Sequence, residues 1–144
     1  MKIKKLNENA IIPTRGSKYS AGYDLYACLS EDEIKIFPHT TFLVDTGWAM
    51  EIPPGRFGAI FARSGLATRE GLRPANCVGV IDSDYRGPVK VALHNDTYEP
   101  KFIKNGERIA QLVILDYYPI ITFDVVDKLE DTDRGEGGFG STGQ

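Results

Sequence analysis

The sequence contains only two cysteines and two histidines, residue types from which many metal and catalytic sites are built. Its two cysteines, Cys28 and Cys77, lie in unrelated contexts without a CxxC spacing. We interpret both as reduced, buried thiols of an intracellular protein, and they give no basis for a cysteine metal site. The two histidines, His39 and His94, are too isolated in the sequence to indicate a catalytic triad or a metal site.

Neither an excess of positive charge nor a long apolar run is present. Lys and Arg number 17 against 20 Asp and Glu, a net charge of -3, so any phosphate-binding site must be local. No apolar run approaches the length that spans a bilayer, and the segment 1–5 lacks the apolar stretch of a signal peptide. We therefore expect a cytoplasmic or nuclear protein without nucleic-acid or membrane partners.

The dominant hydrophobic period is two residues, which is typical of half-buried strands. It runs through 42–52, 57–61, 89–93 and 121–125, with a nearly continuous apolar run over 109–115. Pro, Gly, Asn and Asp clusters separate these runs, so the pattern predicts an antiparallel sandwich, jelly roll or barrel. One short helix is predicted over 64–71, with Ser64 as N-cap and Gly71 as the stop.

The composition changes after residue 127, which divides the chain into a domain over 1–127 and a glycine-rich arm over 128–144. The arm carries Arg134, Phe139, Ser141 and Thr142, a cation, an aromatic ring and two hydroxyls that suit a nucleotide. A frayed terminus is the other interpretation of such a composition.

Five segments stand out against the strand pattern. They are Ala21–Ala27, Ala62–Ala67, Gly79–Gly87, Gly106–Val113 and the arm. In order and spacing they closely resemble the five motifs of the trimeric dUTP pyrophosphatases (dUTPases), and the resemblance covers the chain nearly from end to end. The visible departure is Ala62, where the family often has proline. The resemblance implies an all-β jelly-roll (β-clip) barrel and the hydrolysis of dUTP to dUMP and pyrophosphate.

The third motif is predicted to form a hairpin from Gly79–Asp82 and Gly87–Leu93. The resemblance makes Asp82 the general base that activates a water for attack on the α-phosphorus; otherwise Asp82 and Asp84 only shape the turn. Tyr85 would pack on the deoxyribose, or it is an ordinary aromatic beside a turn. The residues implied around the uridine are Asn76, Gly79, Val80, Ile81, Tyr85 and Lys90.

The remaining motifs are implied to bind the triphosphate. Arg63, Ser64 and Gly65 would meet it at the start of the helix, and Gln111 would donate from its strand. The arm would close over the site with Arg134, Phe139, Gly140, Ser141 and Thr142. Asp24 would hold Mg²⁺ through water, or it is a buried capping residue. Glu107 and Arg108 are interpreted as a structural pair.

The family places such sites between the subunits of a homotrimer, with the arm crossing to a neighbour, and the resemblance implies the same here. Three alternatives fit the sequence less well. A dCTP deaminase needs a glutamate beside the base, and the segment 76–95 has none. A non-catalytic trimeric binding protein has little reason to keep all the polar residues above. A P-loop NTPase needs a lysine that the segment 135–142 lacks.

Overall fold

The computed structural model describes residues 1–118 and 122–138 of the chain. Phe139, Gly140, Ser141 and Thr142 therefore lie outside the described residues, as does Ile121. In chain order the strands are β1 (Lys2–Lys5), β2 (Thr14–Arg15), β3 (Tyr23–Tyr26), β4 (Glu33–Ile36), β5 (Thr41–Glu51), β6 (Arg56–Phe61), β7 (Leu72–Pro74), β8 (Gly79–Ile81), β9 (Pro88–Asn95), β10 (Lys101–Lys104) and β11 (Arg108–Asp116).

The strands form three sheets in which all the pairs are antiparallel. The first sheet has the order β1-β5-β9-β7, the second has the order β2-β3-β11-β6-β8, and β4 pairs with β10. The predicted all-β antiparallel architecture is confirmed. No helix in the described ranges is long and apolar enough to cross a bilayer.

One apolar core receives side chains from all three sheets. Fully buried members include Leu25, Ile36, Val91 and Leu112. The alternation predicted for 89–93 is confirmed, since Val89, Val91 and Leu93 are buried. The buried run predicted over 109–115 is confirmed only in its first part: Ile109 and Leu112 are buried, whereas Leu115 is 39% exposed. The sheets are therefore held together mainly by apolar burial, at about 1.5–3 kcal/mol for each large side chain.

Strand β5 contains a bulge at Gly47 that the sequence pattern does not reveal. The register advances four positions from Asp45 to Ala49 while β9 advances two, from Lys90 to Pro88. The two extra residues preserve the parity of the strand, so Val44, Trp48 and Met50 are buried as predicted. Phe42, predicted on the same inward face, is 40% exposed at the start of the strand.

The segment after β11 corrects a second prediction. The period-two pattern over 121–125 predicted a strand, but no strand is assigned over 122–126, and Phe123 and Val125 are 93% and 100% exposed. Both side chains lack an apolar surface to cover them within the described part of their own chain. The periodicity of the sequence therefore marks an apolar face that no described residue of this chain covers.

The short helix and the cysteines differ in part from expectation. The helix covers Leu66–Glu70 with π-type geometry, and no side chain caps its first turn, so the predicted N-cap role of Ser64 is wrong. Gly71 ends it as predicted, with φ 65° and its N–H donating to the Leu66 carbonyl. Cys28 is buried, and burial raises the pKa of its thiol, assisted by the nearby Asp45 carboxylate. Cys77 was expected to be buried but is exposed.

Candidate active site

A cleft of about 520 Å³ separates β8 from β9. The third motif was predicted to fold into a hairpin, but β8 pairs with β6 in the second sheet while β9 pairs with β5 and β7 in the first. The hairpin prediction is therefore wrong. The two strands leave the same turn and diverge, and their separation creates a cavity within the usual range for small-molecule sites.

The walls of the cleft include two strand edges that lack a neighbouring strand. Strand β8 is the outermost strand of its sheet and pairs with β6 alone. On its β7 side, β9 is paired only from Leu93 to Asn95, with the Ala92 carbonyl accepting from Ala75 N–H at 2.7 Å. Between them, the described strands thus leave backbone N–H and C=O groups available along the cleft. Such groups can read the hydrogen-bonding edge of a planar heterocycle.

Six of the predicted residues around the uridine line this cleft together with Asp82. They are Asn76, Gly79, Val80, Ile81, Tyr85 and Lys90. A side chain at Gly79 would be tightly packed, because a Cβ there would lie 3.2 Å from Asn76 Nδ2 and 3.2 Å from Ile60 Cβ. Lys90 Nζ lies 3.5 Å from Asp45 Oδ2, so its charge is already paired outside the cleft.

Asp82 and Tyr85 line the cleft and are exposed to solvent, on the turn that follows β8. The Tyr85 N–H donates to the Asp82 carbonyl at 3.2 Å, and Arg86 Nη1 donates to the Ser83 carbonyl at 2.7 Å. These bonds fix the turn while the Asp82 carboxylate remains exposed. The phenol of Tyr85 donates to the Pro88 carbonyl at 3.1 Å, which turns its ring back along the chain.

Sheet register brings the first and fourth motifs together on a different surface. Gln111 of β11 lies opposite Asp24 of β3 on one side and opposite Phe61 of β6 on the other. Gln111 Nε2 donates to the Ala62 carbonyl at 2.9 Å, and a Cβ on Gly22 would lie 2.6 Å from Gln111 Oε1. Asp24, Gln111 and Gly22 line a hollow of about 280 Å³.

Asp24 is the centre of an ion-pair network with two arginines. Arg63 Nε donates to Asp24 Oδ1 at 2.9 Å, and Arg108 Nη1 donates to Asp24 Oδ2 at 3.3 Å. The Asp24 side chain is only 15% exposed, so these partners compensate a largely buried carboxylate. The prediction that Arg108 pairs with Glu107 is wrong, since Glu107 accepts from the Lys104 N–H.

An arginine-rich groove lies beside the short helix. Arg63, Ser64 and Gly65, predicted to bind the triphosphate, line it together, and Arg69 and Arg108 add two further guanidinium groups. The Ser64 carbonyl accepts from Thr68 Oγ1 at 2.7 Å, and the Ala67 N–H donates to the Arg63 carbonyl at 3.0 Å. Sequence reasoning did not place either arginine in this groove: Arg69 was not singled out, and Arg108, within the fourth motif, was assigned to a structural pair with Glu107. The basic character of both residues, near the second motif and within the fourth, was a usable signal.

These three depressions share no lining residue. The Asp24–Arg63 ion pair joins the arginine-rich groove to the hollow beside Gln111. Arg134 donates through Nε to the Gly137 carbonyl, and within the described ranges it forms no hydrogen bond or ion pair with another predicted site residue. One chain thus displays a heterocycle-sized cleft and a cationic groove on an all-β frame, as expected of a nucleotide-binding protein.

Comparison with known proteins identifies the family. Residues 8–143 match the dUTPase family model. The chain is 48% identical over 147 residues to a deoxyuridine 5'-triphosphate nucleotidohydrolase of Yarrowia lipolytica, covering 99% of this chain and 88% of the relative. It is 46% identical over 143 residues to the enzyme of that name from Escherichia phage T5, covering 96% of each.

A solved structure supports the same assignment. The Staphylococcus bacteriophage 80alpha dUTPase with dUPNHPP superposes with a TM-score of 0.84 and 30% sequence identity, covering 99% of this chain and 98% of the other. The chain therefore belongs to the dUTPase family.

Proposed function

We propose that this protein hydrolyses dUTP to dUMP and pyrophosphate. One water is consumed: its oxygen bonds to the α-phosphorus, and the bond from that phosphorus to the bridging oxygen of the β-phosphate breaks. The reaction limits the incorporation of uracil into DNA and supplies dUMP for thymidylate synthesis. The observation that carries the proposal is the cleft between β8 and β9, with the solvent-exposed Asp82 in its lining.

The open strand edges recognise uracil. Uracil presents two carbonyl acceptors flanking one N–H donor, and the backbone groups along Gly79–Ile81 offer the complementary donors and acceptor. Cytosine would leave buried backbone groups unpaired, a mismatch that reaches roughly 10⁴-fold in such sites. Rejection of the thymine methyl requires a stiff wall, because a soft apolar pocket discriminates one methyl by only about 10–200-fold. Asn76 and Lys90 complete this wall.

Asp82 acts as the general base. Its exposed carboxylate can accept a proton from a water within hydrogen-bond reach, and the surrounding turn leaves its oxygens unused by the described residues. Tyr85, three residues later, packs on the deoxyribose, where a ribose 2′-hydroxyl would collide with its ring.

The triphosphate lies against the arginine groove and the hollow beside it. Arg63, Ser64 and Gly65 bind phosphate oxygens, and Gln111 has one amide N–H left after its bond to Ala62. Arg134, Phe139, Gly140, Ser141 and Thr142 close over the nucleotide, with Phe139 stacking on the uracil for about 1–3 kcal/mol. The arm over 128–144 is thus a separate functional unit of the chain.

Magnesium fits this site as a hydrated ion brought with the substrate. The described residues contain no group of three His, Cys, Asp or Glu side chains able to hold a metal alone. Asp24 is a single carboxylate, which suffices for an ion that keeps its waters and takes phosphate oxygens as ligands. When bound, Mg²⁺ neutralises phosphate charge; Asp24, held by Arg63 and Arg108, would position it through water.

The complete site requires more than one chain, and we propose a homotrimer. The cleft and the groove share no lining residue within a chain, and Phe123, Val125 and Leu129 stand 93%, 100% and 80% exposed. All three lie within seven residues of one segment, and apolar side chains that are exposed together are characteristic of a protein–protein contact. A cyclic assembly would set the cleft of one subunit beside the groove of another and lay the arm across them.

Pyrophosphate release tests the proposal. Wild type and Asp82→Asn are assayed with Mg²⁺ and dUTP, dCTP, dTTP or UTP, and dUTP binding to both proteins is measured by calorimetry. We expect hydrolysis of dUTP alone, and a loss of at least 10²-fold in Asp82→Asn, since general-base catalysis contributes about 10²–10⁴-fold. Binding of dUTP persists in the variant.

Each other result has a definite meaning. No hydrolysis of any nucleotide by the wild type would favour the binding-protein alternative, and deaminated product from dCTP would favour the deaminase. Near-normal turnover by Asp82→Asn, with dUTP hydrolysed by the wild type, would contradict only the role of Asp82.

A further inference from the structure

The ring of Tyr85 occupies the space that a side chain at Gly87 would fill. A Cβ added to Gly87 would lie 2.6 Å from Tyr85 Cζ and 2.9 Å from Cε2, and closer still to the phenol oxygen. Real Cβ atoms essentially never approach other heavy atoms this closely. The hydroxyl of the same ring donates to the Pro88 carbonyl at 3.1 Å. Tyr85 is therefore folded over Gly87 and tethered one residue beyond it.

The backbone at Gly87 does not itself require glycine. Gly47, Gly55, Gly71, Gly106 and Gly135 are the described glycines with positive φ, and Gly87 is not among them. An alanine could adopt the same backbone conformation. What glycine supplies at this position is room for the aromatic ring.

We infer that Gly87 is a positioning residue that sets the sugar specificity of the enzyme through Tyr85. The inference rests on the proposed function, in which the Tyr85 ring excludes the ribose 2′-hydroxyl. Alanine at position 87 pushes the ring out of its place over the chain and removes the wall that meets C2′ of the sugar. Discrimination between dUTP and UTP then falls.

The substitution should change specificity without unfolding the protein. The atoms that an alanine methyl would meet are at the far end of the Tyr85 side chain, which is 43% exposed and has room to turn outward. Displacement of a substrate-positioning group by about 1 Å can reduce catalysis by roughly 10²-fold, so a shift of this ring has a measurable kinetic effect.

The test measures kcat/KM for dUTP and for UTP in wild type, Gly87→Ala, Tyr85→Ala and the double variant. We expect the dUTP/UTP ratio to fall by about 10-fold or more in Gly87→Ala, with a melting temperature close to that of the wild type. In the Tyr85→Ala background, Gly87→Ala should change the ratio little further, because both substitutions act through one ring. Tyr85→Phe, which keeps the ring but loses the bond to Pro88, should give a smaller fall.

An unchanged ratio in Gly87→Ala would overturn the inference, as would an equal effect of that substitution in the Tyr85→Ala background. Marked thermal destabilisation would also overturn it, since the ring would then be unable to move aside. Failure of the wild type to hydrolyse dUTP would instead refute the proposed function itself, and the inference with it.

Discussion

At the scale of single residues, Asp24 shows how a sequence motif and a packing requirement meet in one side chain. Its carboxylate is largely buried, yet both oxygens accept from guanidinium groups, Arg63 Nε at 2.9 Å and Arg108 Nη1 at 3.3 Å. The same carboxylate holds Arg63 beside the groove and, in the proposed function, would give a hydrated magnesium ion its protein contact. The structural and functional interpretations of Asp24 are therefore compatible.

Replacing Asp24 with Asn tests the second role. We expect kcat/KM for dUTP to fall by about 10–100-fold, the usual effect of replacing a residue that contacts a metal's ligands. We also expect the Mg²⁺ concentration that gives half of the maximal rate to rise. A Mg²⁺ titration of the rate measures both effects. Asp116→Asn is the matched control, because that carboxylate pairs with Arg56 on the surface at 83% exposure. A Mg²⁺ dependence unchanged in Asp24→Asn would remove Asp24 from the metal site.

At the scale of secondary-structure elements, the bulge at Gly47 is the feature of β5 most sensitive to substitution. Gly47 has φ 74°, and a Cβ there would lie 2.5 Å from Ala10 Cβ and 3.0 Å from Cys28 Sγ. Gly47→Ala combines left-handed strain with overpacking, and we expect it to lower the free energy of unfolding by about 2–4 kcal/mol. Urea denaturation at fixed protein concentration measures the change.

Gly55→Ala is the control for the backbone contribution. Gly55 has φ 80°, and a Cβ added there would meet nothing within 4 Å, so only the left-handed strain of about 1–2 kcal/mol applies. If the two variants lost equal stability, contact with Ala10 and Cys28 would have no part in the requirement for glycine at position 47.

The positions of strands could be predicted from the sequence where one face is buried. The pairing of those strands with one another could not. Val89, Val91 and Leu93 alternate because every second position meets the core, and that alternation is written in the sequence. The turn from Asp82 to Gly87 has the residues of a hairpin, but turn residues do not specify whether the strands pair. Here β8 pairs with β6 and β9 with β5, because distant strands offer those edges.

The site residues were named from motif resemblance and their roles stay predictions, whereas the sequence did not predict how the chain arranges them. Asp24, Gln111 and Arg63 come together through the register of β3, β11 and β6, which single-sequence patterns do not fix. Arg108 was assigned to the wrong partner because its neighbour in sequence, Glu107, is bonded elsewhere. The need for glycine at positions 22 and 87 arises from side chains that occupy the space of a Cβ, Gln111 beside Gly22 and Tyr85 beside Gly87. The sequence alone does not show which side chains lie beside a glycine.

At the scale of the whole molecule, the proposed homotrimer assigns the base and the arm of one site to different chains. A homotrimer of the 15.9 kDa chain with shared sites predicts that two inactive variants can restore each other. Asp82→Asn lacks the base, and Arg134→Ala/Phe139→Ala lacks the arm contacts. In a mixed trimer, one site can combine the intact Asp82 of an Arg134→Ala/Phe139→Ala chain with the intact arm of an Asp82→Asn chain.

Co-refolding the two variants at equal concentration, with different affinity tags for isolating mixed assemblies, measures this complementation. In each isolated mixed trimer one site in three pairs an intact base with an intact arm, so we expect about one third of the wild-type activity per site. The variants refolded separately and then combined without exchange are the control. Isolated mixed trimers that were no more active than that control would show that base and arm come from the same chain. Each chain type carries one defective part, so a site built from a single chain could not be restored by mixing.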